Sequence, residues 1–270
     1  MNILWHGVAP FIYSSYGNLT RNIALRIGQV YPTVISCYYG LHVGGSLRIK
    51  GVRVLPAPGY NWGEKEVKCY LEKFNIDLPI LASDFWPFKW FSSLPSAMFY
   101  GPIDSPDYIE EDVETMKNFS YFVPCSNFGT KVYERLTKKK PTAVIPHGVD
   151  TKIFRPYPKE KCRRIFNLPK RKFIIGVVAA NSDPEPRKGW DDMFVALSEF
   201  LRRNPSEKKR LLVFAFTDPS DERGISLTNL VKKLGLEKNV MFPEYLPRIV
   251  GLPDQEMAKL YNCFDLLLNA

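Results

Sequence analysis

Phe173-Ile174-Ile175-Gly176-Val177-Val178 and Leu211-Leu212-Val213-Phe214-Ala215-Phe216 are two short apolar runs, and the stretch between them carries a helical pattern from Gly189 to Arg203. Two near-continuous apolar strands joined through a helix mark a βαβ unit, whose parallel strands are buried on both faces. The same alternation continues outward. After Phe216 the sequence predicts a helix from Leu227 to Leu234, a strand Asn239 to Phe242, a helix Asp254 to Tyr261 and a strand Leu266 to Leu268. Before Phe173 it predicts a helix from Lys159 to Phe166.

The first half repeats the pattern. Strands are expected at Ile3-Leu4-Trp5, Thr33 to Tyr39, Val52 to Leu55, Pro79 to Ala82, Ala97 to Tyr100, Tyr121 to Pro124 and Ala143 to Ile145. Helices fall between them: one capped by Asn18 or Thr20 and reaching Ile27, then Glu64 to Phe74, Glu110 to Phe119, and Asn127 to Lys139. Pro146-His147-Gly148-Val149-Asp150 and the prolines at 156 and 158 punctuate the pattern before it restarts. A chain of 270 residues is long for one domain, so the reading is two α/β lobes, 1–150 and 151–270, with parallel sheets and helices outside. A final strand at Leu266 to Leu268 with no helix after it suggests a second lobe that is incomplete, the other reading being a small lobe with that strand at its edge.

Composition supports a globular chain: 45% hydrophobic and 24% charged, without the bias of disorder. A net charge of +9 favours anionic partners, but the one dense basic run, Lys138-Lys139-Lys140, closes a helix and carries no interleaved aromatics, so nucleic acid is not expected. Five scattered cysteines form no C-x-x-C pair, and no metal-ligand cluster is visible. The start of the chain enters a strand without a charged leader, and no apolar run approaches membrane-spanning length. The expectation is a cytoplasmic protein, with any membrane contact peripheral.

Three loops combine residues suited to a ligand. Pro10 to Asn18 follows the first strand, and Gly17 either lets the backbone approach a ligand or serves a plain turn, with Tyr16 and Asn18 beside it. Tyr100-Gly101-Pro102-Ile103-Asp104 ends another strand, and Asp104 is either positioned against a hydroxyl or a turn carboxylate capping the following helix. Ala179 to Gly189 places Asn181, Arg187 and Lys188 ahead of a helix, as a diphosphate site or as a surface loop.

In this order and spacing, Tyr16-Gly17-Asn18, Val123 to Gly129, Ile145 to Asp150, Arg187-Lys188-Gly189 and Met257 to Leu268 resemble the group 1 glycosyltransferases, family 4 of the GT-B fold. The resemblance implies two Rossmann-like lobes and retaining transfer of a sugar from a nucleotide-diphosphate donor, without a metal or other cofactor. The acceptor would be a glycan, a lipid-linked sugar or a small molecule. It implies Asp104 as the catalytic residue, with Tyr16 and Asn18 on the acceptor-side loop. Gly17, Asn181, Arg187, Lys188, Pro243 and Glu244 would meet the donor. It also places the family's acidic E-x7-E segment just after Ala270. A glycan-binding or subunit protein that keeps the fold without donor chemistry is the other reading.

Overall fold

The computed structural model describes residues 1–42, 45–182, 187–220, 223–243 and 251–269. It comprises two compact α/β units, Met1–Gly148 and Val149–Ala270.

The first unit is built on strands β1 (Ile3–Val8), β2 (Thr33–Tyr39), β3 (Leu47–Ile49), β4 (Val52–Pro56), β5 (Leu78–Leu81), β6 (Met98–Gly101) and β7 (Tyr121–Pro124), in sheet order β3-β4-β2-β1-β5-β6-β7. Successive side chains of β1 go to opposite faces: Leu4 joins the cluster under Phe85, Phe91, Phe99 and Phe122, while Ile3 and Trp5 join Ile35, Val54 and Tyr100. Between β1 and β5 the strand order reverses, so the crevice at their carboxyl ends is a topological switch point.

Three departures from the sequence reading have local causes. Strand β3 pairs antiparallel with β4 through a left-handed Lys50-Gly51 turn, so the sheet is not wholly parallel. Ala143 to Ile145 forms no strand: only the amides of Thr142 and Ile145 bond β7 carbonyls, and the segment is largely exposed. The first helix begins earlier than expected, because the Ser14 hydroxyl accepts the Gly17 amide and caps it. That helix, α1 (Ser15–Leu19), continues through a π turn (Thr20–Ala24) into α2 (Leu25–Ile27).

Further helices of this unit are α3 (Tyr60–Lys73), α4 (Glu110–Asn118) and α5 (Asn127–Thr137), with a 3-10 segment Trp86–Ser93. Lys138, left-handed, closes α5. Of the aromatic run 85–91, Phe85, Phe88 and Phe91 are core and Trp86 is exposed.

The second unit has a four-stranded parallel sheet, β10-β9-β8-β11: β8 (Phe173–Val178), β9 (Leu211–Phe216), β10 (Val240–Met241) and β11 (Leu266–Leu267). Helices α6 (Lys159–Ile165), α7 (Trp190–Arg203), α8 (Leu227–Lys233) and α9 (Asp254–Tyr261) cover it. Trp190, Phe194, Leu197 and Leu201 form one apolar stripe on α7 against Val177 and Val213. Each such buried side chain contributes about 1.5–3 kcal/mol, and truncating Phe194 to alanine removes about 3–5. A Cβ at Gly176 would meet the Phe264 ring at 2.1 Å, which is why β8 carries a glycine there.

Arg163 fastens this unit. Its guanidinium is buried and donates to the carbonyls of Cys263, Lys170 and Lys172 and to Asp265, at 2.9, 2.9, 3.1 and 2.5 Å. Asp265 also takes Lys159 at 2.6 Å and the Ile174 amide at 2.8 Å. Burial alone would raise the Asp265 pKa, but these donors together hold it below the usual carboxylate value.

Candidate functional site

In a parallel sheet every strand delivers its following loop to the same end, so the candidate residues of each unit collect at its carboxyl pole. In the first unit the pole is centred on Tyr16. Its hydroxyl donates to Asp84 Oδ1 at 2.6 Å, linking α1 to the segment after β5 across the switch point. Burial first, then the charge of Asp84 and more weakly Tyr38 and Asp104, raise the Tyr16 pKa far above its ordinary value. The phenol therefore stays a donor at neutral pH. Tyr38 at the end of β2 shares a 2.9 Å hydrogen bond with Ser83, and burial pushes its phenol up to about 12.

Asp104 stands exposed beyond β6. Its Oδ1 accepts from the Tyr108 hydroxyl at 3.1 Å, and its amide and that of Ser105 donate back to the same oxygen at 3.3 and 3.4 Å. The cap position of α4 is Ile109, so Asp104 does not cap that helix. The exposed Asp104 carboxylate is close enough to Tyr16 to act on the phenol's ionisation.

Gly17 and Asn18 have structural duties. A Cβ at Gly17 would lie 2.1 Å from the Ile12 carbonyl, and its amide is taken by Ser14, so the close backbone approach is to the chain's own loop. Asn18 accepts from the Arg21 guanidinium, which also donates to the Pro10 carbonyl at 2.8 Å and lies over the Tyr13 ring. His147 is exposed, its ring 5.6 Å from Tyr100.

In the second unit Asn181 is buried beyond β8 and acts as a tie. Its amide donates to the carbonyls of Asp218 and Ile225 at 3.1 and 2.8 Å and its oxygen accepts from the Ile225 amide at 3.2 Å. Its side-chain amide group holds the loop after β9. Arg187 and Lys188 precede Gly189, which caps α7 in a left-handed conformation, and Trp190 Nε1 donates to the Ala180 carbonyl at 3.1 Å, fixing the helix start against the end of β8. Asp191 and Asp192 occupy the first turn of α7 and work against an anion there. Thr217, just beyond β9, is buried with its hydroxyl unpartnered. Pro243 follows β10, whereas Glu244 lies outside the described residues.

A hollow of about 980 Å³ lies against the flank of β8 and β11, walled by Phe173, Ile175, Met193, Leu197, Phe200 and Leu266. Its walls are mainly apolar, with Lys170, Lys172, Asp192 and Asp265 among the charged residues that line it. Among the described residues no group of three His, Cys, Asp or Glu side chains could hold a metal ion, and no helix is long and apolar enough to cross a membrane.

No profile of a known protein family matches the chain. Among curated proteins it is similar to the D-inositol 3-phosphate glycosyltransferases of Segniliparus rotundus, 30% identical over 125 residues, and Corynebacterium aurimucosum, 25% identical over 127. Each match covers 46% of this chain but only 25% and 28% of the relative, so the alignment spans about a quarter of the curated proteins' length. Among solved structures, sucrose-phosphate synthase from Thermosynechococcus elongatus superposes with a TM-score of 0.70 at 14% identity, over 99% of this chain and 74% of that one. The chain has the GT-B fold. HepE of Anabaena, solved in complex with UDP-glucose, gives 0.69 at 13% identity over 100% of this chain and 74% of its own. WaaG, a glycosyltransferase of lipopolysaccharide biosynthesis, gives 0.62 at 14% over 99% and 74%. The resemblance read from the motifs and the GT-B architecture agree with these relatives. Within the GT-B frame, Tyr16 and Asp104 meet at one pole. Asp84, Ser83 and Tyr38, which sequence reasoning passed over, meet there too; the signal was their place after β5, a switch-point strand, and at the end of β2, which pairs with β1.

Proposed function

We propose that this chain is the body of a retaining glycosyltransferase that moves a sugar from a nucleotide diphosphate to a hydroxyl acceptor. The acceptor binds at the pole of the first unit and the donor at that of the second. The convergence of Tyr16, Asp84 and Asp104 at the switch point carries this reading, in a fold shared with a protein solved with UDP-glucose. Asp104 accepts a hydrogen bond from the reacting hydroxyl and raises its electron density as the bond from the anomeric carbon to the diphosphate breaks. Asp84 is held by Tyr16 at a fixed position and orients the acceptor ring. Lys188 and Arg187 offset the charge that develops on the departing diphosphate, so no metal is required in this scheme.

A second reading has one observation in its favour: Asp191 and Asp192 begin the helix at which the diphosphate would sit, as in a glycan-binding protein without donor chemistry. The two separate on one experiment. Purified protein is incubated with a panel of nucleotide-diphosphate sugars, and release of the nucleotide is followed with and without acceptor. Acceptor-stimulated release supports the transferase; absence of binding for every nucleotide sugar supports the binding protein.

A further inference from the structure

Six large aromatic side chains stand exposed at the carboxyl pole of the first sheet: Phe11 and Tyr13 after β1, Tyr39 at the end of β2, Tyr60 and Trp62 after β4, and Trp86 after β5. Tyr60 is 90% exposed, Tyr39, Trp62 and Trp86 about half. Aromatics scattered singly over a surface need no explanation, but these arise from four different strands and gather at one end of the sheet.

The backbone is held in an unfavourable state to present one of them. Asn61, Trp62 and Gly63 are left-handed in succession, at φ 55°, 58° and 91°. For a residue as bulky as tryptophan that conformation costs about 1–2 kcal/mol. Three hydrogen bonds hold it: His6 Nε2 bonds the Trp62 carbonyl at 3.0 Å, Trp90 Nε1 donates to the Asn61 carbonyl at 2.9 Å, and the Gly63 amide donates to the Gly59 carbonyl at 3.2 Å. A carbonyl only accepts, so His6 carries its proton on Nε2 and takes the Ser36 hydroxyl on Nδ1 at 3.1 Å.

Resting on the transferase reading above, we propose that the acceptor of this site is a neutral oligosaccharide, gripped over more than one sugar ring by this aromatic rim. The C–H faces of pyranose rings carry partial positive charge and pack on the negative faces of aromatic rings. Among the described residues, the polar groups at this pole include the carboxylates and hydroxyls of Asp84, Asp104, Ser83, Tyr38 and Tyr108, with the His42 ring 5.9 Å from that of Tyr39. They accept from and donate to sugar hydroxyls, and the two carboxylates repel phosphate. Arg21, in the π turn after α1, donates to Pro10 and Asn18 and lies over the Tyr13 ring. An anionic membrane surface or a phosphorylated acceptor would meet two carboxylates at the centre of the patch.

The test uses tryptophan fluorescence and calorimetry on the intact chain with neutral malto-, cello- and chito-oligosaccharides of two to six sugars, with inositol phosphate, and with vesicles containing anionic phosphatidylglycerol. UDP is titrated separately. The expected result is binding of one neutral series that strengthens from two sugars upward, weakened about tenfold by Trp86→Ala and by Tyr60→Ala, with UDP affinity and circular dichroism unchanged. Trp62→Ala is read beside these because it also relieves the left-handed turn. Preference for inositol phosphate or for the vesicles, no binding of any neutral series, or binding indifferent to both Trp86→Ala and Tyr60→Ala overturns the proposal. Oligosaccharide binding without any UDP binding keeps the glycan surface and removes the transferase reading.

Discussion

Tyr16 and Asp84, 68 residues apart, are joined by a 2.6 Å hydrogen bond that closes the switch point between β1 and β5. The phenol is half-buried and its charged form is disfavoured by burial and by Asp84, so the bond is a donor-to-carboxylate contact at all physiological pH values. Asp84→Asn keeps the volume and removes the charge. It is expected to lower sugar transfer about a hundredfold while UDP affinity stays the same, read from steady-state kinetics beside calorimetry. An equal fall in both would move Asp84 out of the acceptor site.

Lys188 gives the complementary prediction in the other unit. Lys188→Ala should weaken UDP binding about tenfold, the loss of one charge-assisted contact, without a change in denaturation midpoint, since the side chain is partly exposed before α7. Substituting Asp192 with asparagine should strengthen UDP binding by removing a negative charge from the same helix start. UDP affinity indifferent to both changes would place the diphosphate elsewhere.

His6 predicts a pH dependence of stability. Burial lowers its pKa to about 4, the backbone carbonyl bond opposing in part. The unfolded chain, with an imidazole pKa near 6.5, binds the proton first, so stability is full above pH ~6.5 and falls as pH drops towards 4. The loss is about 3 kcal/mol across that window. Urea denaturation at stepped pH should show this slope for the wild type and lose it in His6→Asn, whatever the variant's stability at neutral pH.

Asp265 is the carboxylate partner of a buried guanidinium, and Asp265→Ala leaves the charge of Arg163 answered only by the three carbonyls. The expected cost is about 3–5 kcal/mol of second-unit stability. Asn181→Ala, which orphans two carbonyls and an amide around residue 225, should cost about 2 kcal/mol. Both are checked by chemical denaturation followed by near-ultraviolet circular dichroism.

What the sequence made legible follows from what each signal measures. Apolar runs such as 173–178 and 211–216 report burial on both faces, and they gave the strands of both sheets. Ala143 to Ile145 has the same composition but only two ladder bonds, and composition does not count ladder partners. Gly17 stood out as a glycine, yet its reason is the Ile12 carbonyl, a contact that no local reading supplies. Asp84 was overlooked because its meaning depends on strand order. Only when β5 lies next to β1 does the residue after it face Tyr16.

The Arg163 fastening also sets an order of events during synthesis. Its partners Cys263 and Asp265 lie 100 and 102 residues further along the chain. Until those residues leave the ribosome, the nascent second unit holds a guanidinium that cannot be buried, and β8 lacks its second neighbour, β11. The first unit, whose strands are all made by Pro124, is free to fold well before that. A translation pause or a nonsense mutation before residue 263 therefore yields a finished first unit attached to an open, apolar second one, a species for chaperones and proteases rather than a smaller working protein.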